Sequence, residues 1–246
     1  MTNQTAFAET TDSLRRIASR IGFWSAVLVA VVAAVSFAIA VVTPPISGPY
    51  CLNGCVRYPY TNIASFVPHD YIWMYPGFLL APIFVVLMVC IHNYASDNKK
   101  IFSQIGLSFT LIYAVVIMTD YYIQLAVIQP SLLRGEAEGV ALFTQYNPHG
   151  IFIALEDLGY LMMSLAFLFT APVFVGNKRL VRAIRWLFII SSLVVIGAFI
   201  VMHALYWKDI GYRFEVIVIT INWTVLIVAG VLLSVLFRRV ARQRAP

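Results

Sequence analysis

Charge is scarce in this sequence. Only 11% of its 246 residues are Asp, Glu, Lys or Arg, whereas a soluble domain carries about 25% to keep its surface wet. With 61% hydrophobic residues and a mean hydropathy of +0.85, too few charges remain to cover a water-facing exterior. The chemistry of common enzymes is missing as well. There is no Walker loop, no Gly-x-Ser-x-Gly, no His-Glu-x-x-His and no Rossmann glycine pattern. Three cysteines cannot supply four zinc ligands, and no metal site is expected. The histidines do not pair at matching depths on two helices, which argues against a bis-histidine haem, and no cofactor is predicted. No segment alternates in the roughly ten-residue pattern of a membrane barrel, and no internal repeat or low-complexity tract is visible.

What is present is a set of long apolar runs. Six are long enough to cross a hydrocarbon core, which takes about 20 helical residues. They lie at roughly 22–43, 72–92, 103–128, 151–175, 184–206 and 214–237. The expected fold is therefore all-α, a polytopic transmembrane bundle forming a single domain over 1–246, with the lipid bilayer as its main partner. The first run also carries a charged lead and Ala38-Ile39-Ala40, as a signal peptide would. Its apolar length exceeds the 7–15 residues of a typical signal core, so an uncleaved anchor is expected.

The basic residues alternate with the spans. Thirteen Lys and Arg lie on one side, among them Arg15, Arg16, Arg20, Lys99, Lys100, the group from Lys178 to Arg185, and the four arginines after residue 237. Arg57, Arg134, Lys208 and Arg213 lie on the other. By the positive-inside rule both termini are cytoplasmic, and a cell membrane is the expected location. The net charge of +6 thus reads as a topology signal; arginines at helix ends form no groove for nucleic acid. Asn3-Gln-Thr and Asn222-Trp-Thr fit the glycosylation pattern, but one falls on the cytoplasmic side and the other inside a span.

Two outer loops are long, 44–71 and 129–150. The first is dense in Pro and aromatic residues, which suits a cap at headgroup level. The second carries Leu132, Leu133, Val140, Leu142 and Phe143 among Arg134, Glu136 and Glu138, and either a short interfacial helix or a loosely packed loop is expected there. Cys51 and Cys55, four positions apart on the outer side, are expected to form a structural disulfide. His69 and His149 are expected to be solvated, and His92 to be interfacial.

Ionisable groups inside a membrane are costly and mark candidate function. Here they are Asp120 and Gln124 on the third span, Glu156, Asp157 and Tyr160 on the fourth, His203 on the fifth, and Glu215 and Asn222 on the sixth. At about 1.5 Å per residue, Asp120, Glu156, Asp157, His203 and Asn222 fall roughly 4–11 Å outward of the bilayer centre, while the inner half is almost bare of acids. Asp120 and Gln124 share a helix face with Tyr113, and Glu156 shares one with Tyr160 and Met163. Adjacent Glu156 and Asp157 point about 100° apart. Pro76 and Pro82 can open space beside this group by kinking the second span.

Several carboxylates in a partly dry cleft cannot all be charged without partners. Such a set can bind a cation, carry protons or act as acid and base. Three readings follow: a protein that binds or transports a small molecule, lipid or cation through an outward-facing polar cleft; a membrane-embedded acid/base enzyme acting on a lipid-like substrate; or a non-catalytic partner subunit whose polar residues join helices. The sequence does not decide between enzyme and non-enzyme, nor does it fix the oligomeric state.

Overall fold

The computed structural model describes residues 2–243, with side chains described for 16–242; Arg15, Arg244 and the side chains of Asn3-Gln-Thr lie outside them. The described chain is all-helical. In a hydrocarbon environment every backbone N–H and C=O must be satisfied within its own segment, and runs of Ala, Val, Leu and Ile do this as helices. Six helices are long and apolar enough to cross a membrane. They are α1 (Thr2–Val42), α2 (Met74–Tyr94), α3 (Lys100–Ile123), α4 (Ile151–Thr170), α5 (Arg179–Tyr206) and α6 (Gly211–Gln243). The expected six-span, multi-pass architecture is therefore present.

The packing order is a ring. Helix α1 lies between α2 and α6, α2 and α3 are neighbours, α3 packs along α4, and α4 closes onto α6. Helix α5 stands outside, in the groove between α4 and α6; it is the least buried of the six. The closest approach is between α1 and α6. A Cβ on Gly230 would stand 2.7 Å from the Ala26 carbonyl and 2.8 Å from Ala30 Cβ. Only glycine lets these backbones touch.

Two helices depart from the simple spans. In α2, Pro82 lies within the helix, whereas Pro76 sits in its first turn, where an N–H has no intrahelical partner in any case. Helix α3 does not stop at residue 128. It passes through a π-helical turn at Gln124–Ile128 into a further helical turn, Gln129–Leu133. The reason is Pro130, which returns no N–H and crowds the carbonyl four residues back, so the preceding turn widens.

The loops at one end form a folded cap. Cys51 and Cys55 are joined in a disulfide, as expected from their spacing. The Val56 amide donates to Ile46 O at 2.8 Å, and Tyr60, Ile63 and Tyr71 are buried. Gly48 has φ +69°, and a Cβ there would overlap the Tyr212 ring at 2.1 Å, so this turn needs glycine twice over. A short helix, Val140–Phe143, occupies part of the second loop. The Tyr146 hydroxyl donates to Asp70 Oδ2 at 3.1 Å and the Tyr212 hydroxyl donates to Gln145 O at 2.6 Å, tying both loops to α6. Burial, with Tyr71 and Asp70 alongside, pushes the Tyr146 phenol above its ordinary range. His69 and His149 are exposed, and His92 hydrogen-bonds Ser103 Oγ at 2.8 Å to join α2 to α3.

Candidate functional site

The ring places α3, α4 and α6 side by side, and their halves nearer the loop cap carry four carboxyl groups within electrostatic reach of one another. Glu156 is the centre: fully buried on α4, it lies within electrostatic reach of Asp120, Asp157 and Glu215. Its Oε1 accepts a 2.6 Å hydrogen bond from the Tyr121 hydroxyl. Its Oε2 has no donor. What lies within hydrogen-bonding reach of Glu156 is the carboxyl group of Glu215, and two carboxylates cannot join without a proton or a cation between them. Asp120 Oδ2 and Asp157 Oδ1 are likewise buried without a partner. Among the described residues no Lys, Arg or His is ion-paired with any of the four.

A chain of aromatic donors fixes this cluster. The Tyr121 hydroxyl lies 3.0 Å from the Tyr160 hydroxyl, which accepts from Trp223 Nε1 at 2.8 Å. Three helices thereby contribute to one network, as Tyr121 sits on α3, Tyr160 on α4 and Trp223 on α6. Trp73, just before α2, packs edge-on against Tyr121 at 5.3 Å and lies 6.0 Å from Trp223.

The other expected residues divide by role. Asn222 gives its amide to Tyr160 O, Ser164 Oγ and Val218 O at 3.2, 3.0 and 2.9 Å, a well-satisfied joint between α4 and α6. Gln124, at the start of the π turn, donates to Phe143 O and so anchors the second loop. Asp157 is only half-buried, turned away from Glu156 as adjacent helical positions require. His203 stands apart. It lies on α5, outside the ring, where its Nδ1 pairs with Phe199 O at 3.0 Å and its ring packs on Phe199. Equal height did not bring it to the carboxylates, because α5 has no face on the ring interior.

Glu215 gives the cluster an outlet. It lines a cavity of about 370 Å³ between the ends of α1 and α6 and the loop cap. The deeper wall is aromatic, made by Phe37, Trp73, Phe152 and Trp223, and among the described residues the only charged ones lining it are Asp70 and Glu215. Val41 and Val216 line it too and are themselves exposed. Among the described residues no group of three or more His, Cys, Asp or Glu is placed to hold a metal ion.

Sequence reasoning expected a polar cleft beside the acids but did not assign Tyr121, Trp73 or Trp223 to it. Tyr121 follows Asp120 directly and Trp223 follows Asn222, but one-residue neighbours on a helix point to different sides, so only the packing order could select them. Among known proteins, no family model matches the chain, and neither a curated protein nor a solved structure is similar to it.

Proposed function

We propose that this protein binds an organic cation bearing apolar groups, in the cavity beneath the loop cap, with the basic end of the bundle cytoplasmic and the cavity facing outward. The observation that carries this reading is Glu215: a carboxyl group in an aromatic-walled cavity, set against a second carboxyl, Glu156, with no basic partner for either. A cation supplies the missing countercharge. Tryptophan and phenylalanine faces attract a cation by their quadrupoles, by about 0.5–2 kcal/mol each. The absence of a three-ligand arrangement among the described residues favours a bulky organic cation over a bare divalent ion. Exposed Val41 and Val216 beside the cavity suit entry from the lipid side.

The acid/base reading has less support, because among the described residues His203 makes no ion pair with the carboxyl groups and its Nδ1 is engaged by Phe199 O. The test uses tetraphenylphosphonium and its neutral relative triphenylphosphine oxide, with binding followed by quenching of Trp73 and Trp223 in detergent-solubilised protein. The cation should bind more tightly than the neutral compound, and Glu215→Gln should weaken only the cation, about tenfold for each 1.4 kcal/mol lost. Equal binding of both compounds, or an unaffected Glu215→Gln variant, would refute the proposal.

A further inference from the structure

The opposite end of the bundle holds a second cavity, of reversed charge. About 280 Å³ in volume, it lies where Ala18 and Ser19 of α1, the end of α2, the segment entering α5 and the last turns of α6 meet. Lys178 and Arg239 line it, and among the described residues no acidic one does. Neither cation is ion-paired among the described residues, where the only Lys or Arg ion pair joins Lys100 to Asp97. Asn93 adds an amide at the rim, and its Nδ2 spends one hydrogen on Val89 O at 3.0 Å. The deeper wall is apolar, with Cys90 and Phe237 both buried.

From this juxtaposition we infer a site for a phosphate ester, its anionic group held by Lys178 and Arg239 and its apolar remainder against Phe237. Four chain segments converge on it, so it is a built concavity and not a stretch of basic surface. Arginine grips phosphate oxygens through its planar fork and lysine as a point charge. Basic pockets between membrane helices take up lipid headgroups by this chemistry. The site is independent of the cavity at the loop end, since the two share no lining residue.

The same chemistry fits a lipid headgroup or a soluble phosphate, and the experiment separates them. Native mass spectrometry of the full chain in detergent would measure binding of short-chain phosphatidylglycerol, a matching neutral diacylglycerol and inorganic phosphate. Phosphatidylglycerol should bind and the diacylglycerol should not. Inorganic phosphate binding equally well would assign a soluble ester; phosphate failing to compete would assign the lipid.

Lys178→Gln with Arg239→Gln should weaken phosphatidylglycerol at least about tenfold, since each removes a charge-assisted contact. Arg238→Gln, next in sequence but outside the cavity, should leave it unchanged. Because Cys51 and Cys55 are disulfide-bonded, Cys90 is the one free thiol, and bound lipid should slow its reaction with maleimide. Unchanged affinity in the double variant would overturn the site, as would an equal loss in Arg238→Gln, which would mark diffuse surface charge.

Discussion

Removing one oxygen, in Tyr121→Phe, separates a functional cluster from ordinary helix joints. The Tyr121 hydroxyl donates to Glu156 Oε1 at 2.6 Å and contacts Tyr160 at 3.0 Å. Without it both oxygens of a fully buried carboxyl group lack a donor, as Oε2 already does. An orphaned buried acceptor costs about 1–3 kcal/mol, and phenylalanine fills the same space, so no cavity adds to this. A loss of about 2 kcal/mol is expected. An ordinary interhelical bond in a membrane bundle is worth about 0.6 kcal/mol. Ser192→Ala provides that standard, because Ser192 Oγ donates to Ser164 O at 2.7 Å between α5 and α4 with no carboxyl involved. Unfolding both variants by SDS titration in mixed micelles gives the comparison. Pairing Tyr121→Phe with Glu156→Gln should also be non-additive, with a coupling of about 1 kcal/mol or more. Equal losses in the two single variants, or additive behaviour in the double, would refute the claim that Glu156 is the centre of the network.

Three further outcomes are expected. Gly230→Ala should cost about 1–3 kcal/mol by overpacking the α1–α6 contact, whereas Gly197→Ala, with nothing within 4 Å of its Cβ, should gain up to about 1 kcal/mol from helix propensity; thermal unfolding of the two variants checks the contrast. Cys51 and Cys55 should resist alkylation until a reductant is added, and replacing both by Ser should cost no more than about 2 kcal/mol, because the loop closed by a separation of four is short. Labelling of single cysteines on intact cells should place 50–66 and 136–146 outside and 97–100 and 178–182 inside, and the reverse pattern would invert the proposed orientation.

The number of helices was legible because it depends only on run length, which lipid thickness fixes. The disulfide was legible from spacing, and the common level of the acids from counting residues along each span. Partnership was not. His203 and Asp120 fall at comparable heights, yet height is a one-dimensional coordinate, and which helices face one another is decided by contacts such as Gly230 on Ala26 that hydropathy does not encode. The same limit hid Trp223, which reads as one more aromatic residue until its Nε1 is seen to meet Tyr160. Gln124 was misjudged for a different cause. Its N–H still bonds Asp120 O on the regular helix, but its side-chain amide is taken by Phe143 O of the second loop, and a helical face count says nothing of where a loop folds back.

The two cavities bear on whether the carboxyl cluster can pass protons or ions through the bundle. On α4, Phe167 lies eleven positions beyond Glu156, roughly 16 Å at helical rise. Between the ends, Phe84, Phe167 and Phe188 form a buried layer, with ring centres 5.6 Å apart for the first two and 4.7 Å for the last two. Leu226 and Leu233 of α6 are buried too, and the basic cavity lies beyond them, near Phe237. From Glu156 the hydrogen-bonded groups run through Tyr121, Tyr160 and Trp223, with Asn222, Ser164 and Ser192 next along the bundle, and none of these is a carboxylic acid or a base before the phenylalanine layer is reached. Moving a charge through such a layer without polar partners is costly, so the cluster should exchange protons with one side only. Proteoliposomes carrying a pH gradient and a dye inside should therefore leak no faster than protein-free vesicles, and Glu156→Gln should change nothing in this assay. A leak that requires protein and disappears in Glu156→Gln would show a continuous path and would replace the binding reading with one of proton conduction.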